Sequence, residues 1–204
     1  MYLFKEHNIA ALHINKNAGS SLRVYLVDLL GEYELLTPDH GLLEYKYPQL
    51  PKDCNILATV RNPFDRMVSM YYQRKNSYNP NGIYAGNWKN MLRDAATMDL
   101  KTWFIRSIKP NFKVGPPEDQ PIFQAIQVKG QVPENVFIAK VETLQEDVDR
   151  FLAMSNVLSS KKFPRKNVNE TRPPWQELYD DELKKLMYEW DKFTFDNYYK
   201  ELVI

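Results

Sequence analysis

The stretch ALHINKNAGSSLRVYLVDLLG, residues 11–31, constrains the fold more than any other part of the chain. An apolar run leads to Lys16, a turn of small and polar residues follows, and Leu22, Tyr25, Leu26, Leu29 and Leu30 then recur at helical spacing. A buried strand passing directly into a helix is half of a strand–helix–strand crossover, and a crossover needs a parallel neighbour. IAALHI (residues 9–14), CNILATV (54–60) and NVFIAKV (135–141) are apolar over a strand length, as suits parallel strands covered on both faces. YELLT (33–37) is a weaker strand candidate. Helical patterns cover residues 20–30, 63–74 (with Pro63 in the first turn), 101–108, 144–154 and 176–188. This alternation predicts a three-layer α/β protein, its central parallel sheet flanked by helices, in a single domain over residues 1–204. Residues 75–121 are rich in Asn, Pro, Gly and aromatic residues and read as an irregular surface insertion.

Composition narrows the function. The 27 basic and 26 acidic residues leave a formal charge of +1, without the basic excess of a nucleic-acid binder. One cysteine excludes an internal disulfide, and Cys54 lies in an apolar run that predicts burial. The three histidines are scattered, with no i, i+4 pair, so no metal site is expected. No run approaches the roughly 18 apolar residues of a membrane span. The start, MYLFKEHNIAALHI, lacks the features of a secretory signal, so the expected location is cytoplasmic. Oligomeric state is not legible.

The turn over residues 16–21 has the physics of an anion site. Gly19 allows close approach, the following helix offers unpaired N–H groups and the positive end of its dipole, Ser20 and Ser21 add hydroxyls, and Lys16 adds a full charge. An ordinary strand–helix turn capped by Ser20 is the plainer alternative. The Walker A pattern does not fit, because there is no first Gly and Lys16 precedes Gly19 instead of following it. A second segment, ATVRNPFDRMVSMYY, ends a strand in Arg61 and carries Ser69 two helical turns later, where a Walker-type enzyme would have a magnesium-binding Asp. Arg61 offers a fork of donors to phosphate; a salt bridge to Asp65 is the alternative.

Together, HINKNAGSSL and TVRNPFDRMVSMYY resemble the two signature segments of PAPS-dependent sulfotransferases, and the carbohydrate O-sulfotransferase group in particular. NVFIAKVETLQEDVDRFL is similar to that family's late strand, Glu-x-Leu turn and helix, and FPRKNVNETRPPW with the following helices is similar to its closing loop and C-terminal region. Where the family usually has Pro, Thr, Gly and Thr, this chain has Asn15, Asn17, Ala18 and Ser20.

The resemblance implies a P-loop-NTPase-like fold and a donor, 3′-phosphoadenosine 5′-phosphosulfate (PAPS), that leaves as adenosine 3′,5′-bisphosphate without a metal. It implies that Lys16, Asn17, Ala18, Gly19, Ser20 and Ser21 hold the 5′-phosphosulfate, with Lys16 catalytic, and that Arg61 and Ser69 hold the 3′-phosphate. The closing loop nominates Lys166, Asn167 and Arg172 for the cofactor, although a solvated basic stretch would read the same. His40 is the candidate general base, with Glu44 as the second choice; His40 also reads as a plain loop histidine beside Gly41. His13, in the strand before the turn, is expected to pack or hydrogen-bond and not to catalyse. The expected acceptor is a carbohydrate or glycolipid hydroxyl, met by residues 75–121 through Tyr78, Tyr84 and Trp88. A P-loop small-molecule kinase and a non-catalytic nucleotide-binding relative are the rival readings.

Overall fold

The computed structural model describes residues 1–37, 41–84, 88–108, 120–164 and 172–202. The chain divides into two compact units, one of Met1–Arg61 with Ile122–Val168 and one of Asn62–Pro121 with Asn169–Ile204.

The first unit is built on a five-stranded sheet of β1 (Tyr2–Phe4), β2 (Ile9–Leu12), β3 (Glu34–Leu35), β4 (Asn55–Val60) and β5 (Val136–Lys140), in the order β3-β1-β2-β4-β5. β2, β4 and β5 pair in parallel, whereas β1 runs antiparallel to both β2 and β3. The α/β class is as expected, but the sheet is mixed and not wholly parallel. Only residues 5–8 join β1 to β2, which is too short for a parallel crossover. Asn8 closes that connection in the left-handed region at φ 52°.

Helices α1 (Gly19–Leu30) and α7 (Leu144–Met154) lie on the same face of the sheet. Leu22, Tyr25, Leu26 and Leu30 of α1 and Val148, Phe151 and Leu152 of α7 form one core with Ile9, Ala11, Leu57 and Ala139. That spacing is one helical stripe meeting alternate strand positions. Gly31, at φ 84°, ends α1, its N–H bonding to the Val27 carbonyl. The short helices α2 (Leu43–Lys46) and α6 (Ile122–Ile126) complete the unit. Cys54, just before β4, is fully buried, and burial pushes its thiol up to about 11.

Asp147 fixes the passage from β5 to α7, accepting from the Lys140 N–H at 2.7 Å and the Thr143 hydroxyl at 2.8 Å and pairing with Arg150. Burial alone would raise its carboxyl; the Lys140 amide, Arg150 and Thr143 outweigh that and hold it below its ordinary value.

The second unit is helical, with α3 (Pro63–Ser77), α4 (Trp88–Thr97), α5 (Leu100–Trp103), α8 (Asp181–Trp190) and α9 (Lys192–Tyr198). Phe64 of α3 packs on Trp175, Tyr179 and Phe195, with ring centroids 4.7, 4.9 and 4.9 Å away. Arg74 lies over the rings of Trp88 and Trp103, 5.4 and 5.5 Å from their centroids. Among the described residues of 75–121, α4 is a helix that the sequence pattern does not announce. α4 buries only Leu92 and Ala95, too few for a clear helical period, and α5 passes into a π-helical turn at Phe104–Ile108. The last predicted helix begins later, at Asp181, where Asp180 caps the Leu183 N–H at 2.7 Å. Among the described residues, no helix is long and apolar enough to cross a membrane.

Candidate functional site

The three parallel strands end together. Leu12 is paired with Ala58 and Val60 with Lys140, so the turn after β2, Arg61 after β4 and Lys140 in β5 all belong to the carboxyl edge of the sheet. In open α/β sheets, ligands bind beyond that edge.

From β2 the chain reaches α1 through His13–Ala18, with Lys16 and Ala18 both in the left-handed region at φ 64° and 59°. Each costs about 1–2 kcal/mol in a residue with a Cβ, so the surroundings must hold the conformation. Asn17, between them, is fully buried. Its Nδ2 donates to the Thr59 carbonyl at 2.8 Å, and the Thr59 hydroxyl donates back to the Asn17 carbonyl at 2.7 Å. One residue beyond β4, Arg61 donates from Nη1 to the Lys16 carbonyl at 3.0 Å. Three bonds from the β4 region thus clamp Lys16 and Asn17. The Asn17 Oδ1 is buried and has no partner among the described residues.

The helix that follows starts without a side-chain cap. Ala18 is its N-cap residue and offers no side-chain acceptor, and the ladder begins with the Leu22 N–H bonding to the Ala18 carbonyl at 2.9 Å. The amides of Gly19, Ser20 and Ser21 precede that first rung, and helix geometry supplies them no intrahelical acceptor. Ser20 is exposed, Lys16 and Ala18 are half-buried, and Ser21 is buried. A helix N-terminus without a side-chain cap, next to a half-buried lysine, has the chemistry to receive a phosphate-like group.

The other sequence candidates fall as follows. Asn17 is in the turn, but its side chain and its carbonyl are engaged with β4, and its N–H bonds to the Ile14 carbonyl at 3.2 Å. Arg172 forms a salt bridge to Asp65 at 2.8 Å and also donates to the Asp65 carbonyl at 3.2 Å. This pair fastens residue 172 to the first turn of α3. Ser69, half-buried, follows Asp65 by four residues and lies one turn along the same helix face. Glu44 is exposed in the first turn of α2. His40, Lys166 and Asn167 lie outside the described residues. His13 hydrogen-bonds, as expected, through Nδ1 to the Tyr2 hydroxyl at 2.7 Å.

Sequence spacing does not single out Thr59, which holds Asn17, or Lys140, which shares the carboxyl edge of the sheet. Lys140 had a usable signal, since NVFIAKV ends its apolar run in a lysine as the β2 segment leads to Lys16. Thr59 had none, because an apolar strand tolerates a threonine without announcing its partner.

No curated protein and no solved structure matches the chain. The sequence model of one family does, over residues 1–201, which takes in the β2–α1 turn, Arg61, the helical second unit and the β5–α7 junction. With nearly its whole length matched, the chain belongs to the sulfotransferase family and is by that membership a transferase of sulfuryl groups.

Proposed function

We propose that this protein transfers a sulfuryl group from 3′-phosphoadenosine 5′-phosphosulfate to a hydroxyl of a carbohydrate or glycolipid. The observation that carries the reading is the β2–α1 turn, with left-handed Lys16 and Ala18, an uncapped α1 and the clamp from β4. Such a turn fits the 5′-phosphosulfate end of the donor, which supplies an activated sulfuryl group on a good leaving phosphate. The resemblance assigns the 3′-phosphate to Arg61 and Ser69, with Lys166, Asn167 and Arg172 contributing from the closing loop.

In the transfer, the sulfur–oxygen bond to the 5′-phosphate breaks and a new one forms to the acceptor oxygen. The electron pair stays on the departing phosphate and the acceptor proton goes to a base. Lys16 neutralises the charge that develops on the leaving oxygen, and the Gly19, Ser20 and Ser21 amides hold the adjoining phosphate. His40 takes the acceptor proton, or Glu44 in its place. Because Arg61 also bonds to the Lys16 carbonyl, it sets the height of that lysine.

Titration calorimetry with adenosine 3′,5′-bisphosphate and with ATP plus magnesium tests the reading on the wild type, Arg61→Ala and Ser69→Ala. The bisphosphate should bind better, and both variants should weaken it. Preference for ATP with magnesium would favour a kinase. Bisphosphate binding with no transfer to any hydroxyl acceptor would favour the non-catalytic relative.

A further inference from the structure

We infer that Tyr2 and His13 form a brace that sets the position of the first-turn amides of α1, which makes His13 a positioning residue for the 5′-phosphate of the nucleotide. The inference rests on the sulfuryl-transfer reading of that turn.

Its starting point is the reason Gly19 is a glycine. Only Gly31 and Gly130 have a positive φ among the glycines of the described residues, so Gly19 is not required by its backbone. It is required by space. A Cβ added there would lie 1.9 Å from His13 Cδ2 and 2.4 Å from Nε2, distances no real contact tolerates. The imidazole thus lies edge-on against the first residue of α1, in the volume a methyl group would need.

The ring is itself held. Tyr2 is nearly fully buried in β1, and its hydroxyl meets His13 Nδ1 at 2.7 Å. Tyr33 packs its ring edge-to-face with Tyr2 at 5.1 Å. Tyr2 pairs with Ala11 across the hairpin, so the sheet fixes the phenol and the phenol orients the imidazole.

The position matters because α1 has no side-chain cap of its own. Asn17 and Thr59 grip the turn from β4, while His13 bears on the helix start from the β1–β2 side. Between these supports lie the amides of Gly19, Ser20 and Ser21. Removing the ring lets the first turn shift toward the vacated volume, which misplaces donors that an anion needs within hydrogen-bond distance.

The test compares adenosine 3′,5′-bisphosphate with adenosine 3′-monophosphate, which lacks only the 5′-phosphate, by calorimetry on the full chain, with thermal melts alongside. The variants are His13→Ala, Tyr2→Phe, Gly19→Ala and the double variant His13→Ala/Gly19→Ala. The wild type should favour the bisphosphate. His13→Ala should cut that advantage about tenfold, the equivalent of one charge-assisted hydrogen bond, while leaving affinity for the monophosphate as it was. Tyr2→Phe should do the same to a smaller extent. Gly19→Ala should melt far below wild type, and the double variant should recover the melting temperature without recovering the 5′-phosphate advantage. If His13→Ala weakens both nucleotides equally or neither, or if the double variant melts no higher than Gly19→Ala, the brace is overturned. A wild type that shows no preference for the bisphosphate sinks the sulfuryl-transfer reading itself, a result separable from the first because it needs no variant.

Discussion

Two strand-to-helix turns of this chain solve the same problem in opposite ways. α3 follows β4 through Arg61 and Asn62. There the Asn62 Oδ1 accepts from the Phe64 and Asp65 amides at 3.0 and 3.4 Å, and Pro63 supplies the first helical residue. That helix satisfies its own first turn. α1 follows β2 through two left-handed residues, with an alanine as N-cap residue, and is steadied from outside by Thr59, Arg61 and His13. A self-capped helix start needs no ligand, whereas one braced from its neighbours can take an anion there, as the proposed reading of the β2–α1 turn has it.

Four substitutions would break or sharpen that contrast. The largest effect belongs to Lys16→Ala, expected to lower the transfer rate on the order of 10²–10³ with little change in melting temperature, read by steady-state kinetics beside a thermal melt. A parallel fall in stability would mean that Lys16 serves the fold and not the leaving group. Next is Asn17→Ala, which strips the buried link to β4 and leaves the Thr59 carbonyl without its donor. Denaturant unfolding should show a loss of about 2–3 kcal/mol, and a loss under half a kcal/mol would show that the turn stands without its clamp. Asn62→Ala removes an ordinary cap and should cost about 1 kcal/mol while leaving the preference for a 5′-phosphate unchanged. The smallest effect has the opposite sign. Ala18→Gly relieves a left-handed alanine, and after the entropy a glycine adds to the unfolded chain it should gain about 0.5 kcal/mol; a destabilised variant would show that the left-handed conformation costs nothing here.

Much of this arrangement was legible from the sequence because its signals are local. The runs that became β2, β4 and β5 each carry their apolar character within seven residues, and the helix over residues 144–154 appears with the expected bounds. Lys16, Gly19 and Arg61 stand out because a charge at a strand end, or a glycine at a helix start, is unusual whatever the rest of the chain does. What was not legible depends on partners far away in sequence. The Asn17 side chain reads as a ligand contact until Thr59, 42 residues on, takes it. Arg172 reads as a free cation until Asp65, 107 residues back, pairs with it. β1 has only three residues, and its antiparallel direction follows from the brevity of the connection after it. Gly19 reads as giving room for phosphate; a side chain there would also meet the His13 ring, a fact no spacing rule contains.

The burial of Cys54 has a practical corollary. Its thiol is the chain's only one, lies fully out of solvent and ionises near 11, so at neutral pH it is almost entirely protonated and shielded from electrophiles. The native protein is thus a silent background for maleimide chemistry. A cysteine placed at Tyr45 or Ile83, both strongly exposed, would carry a fluorophore at one known position without first deleting a native residue.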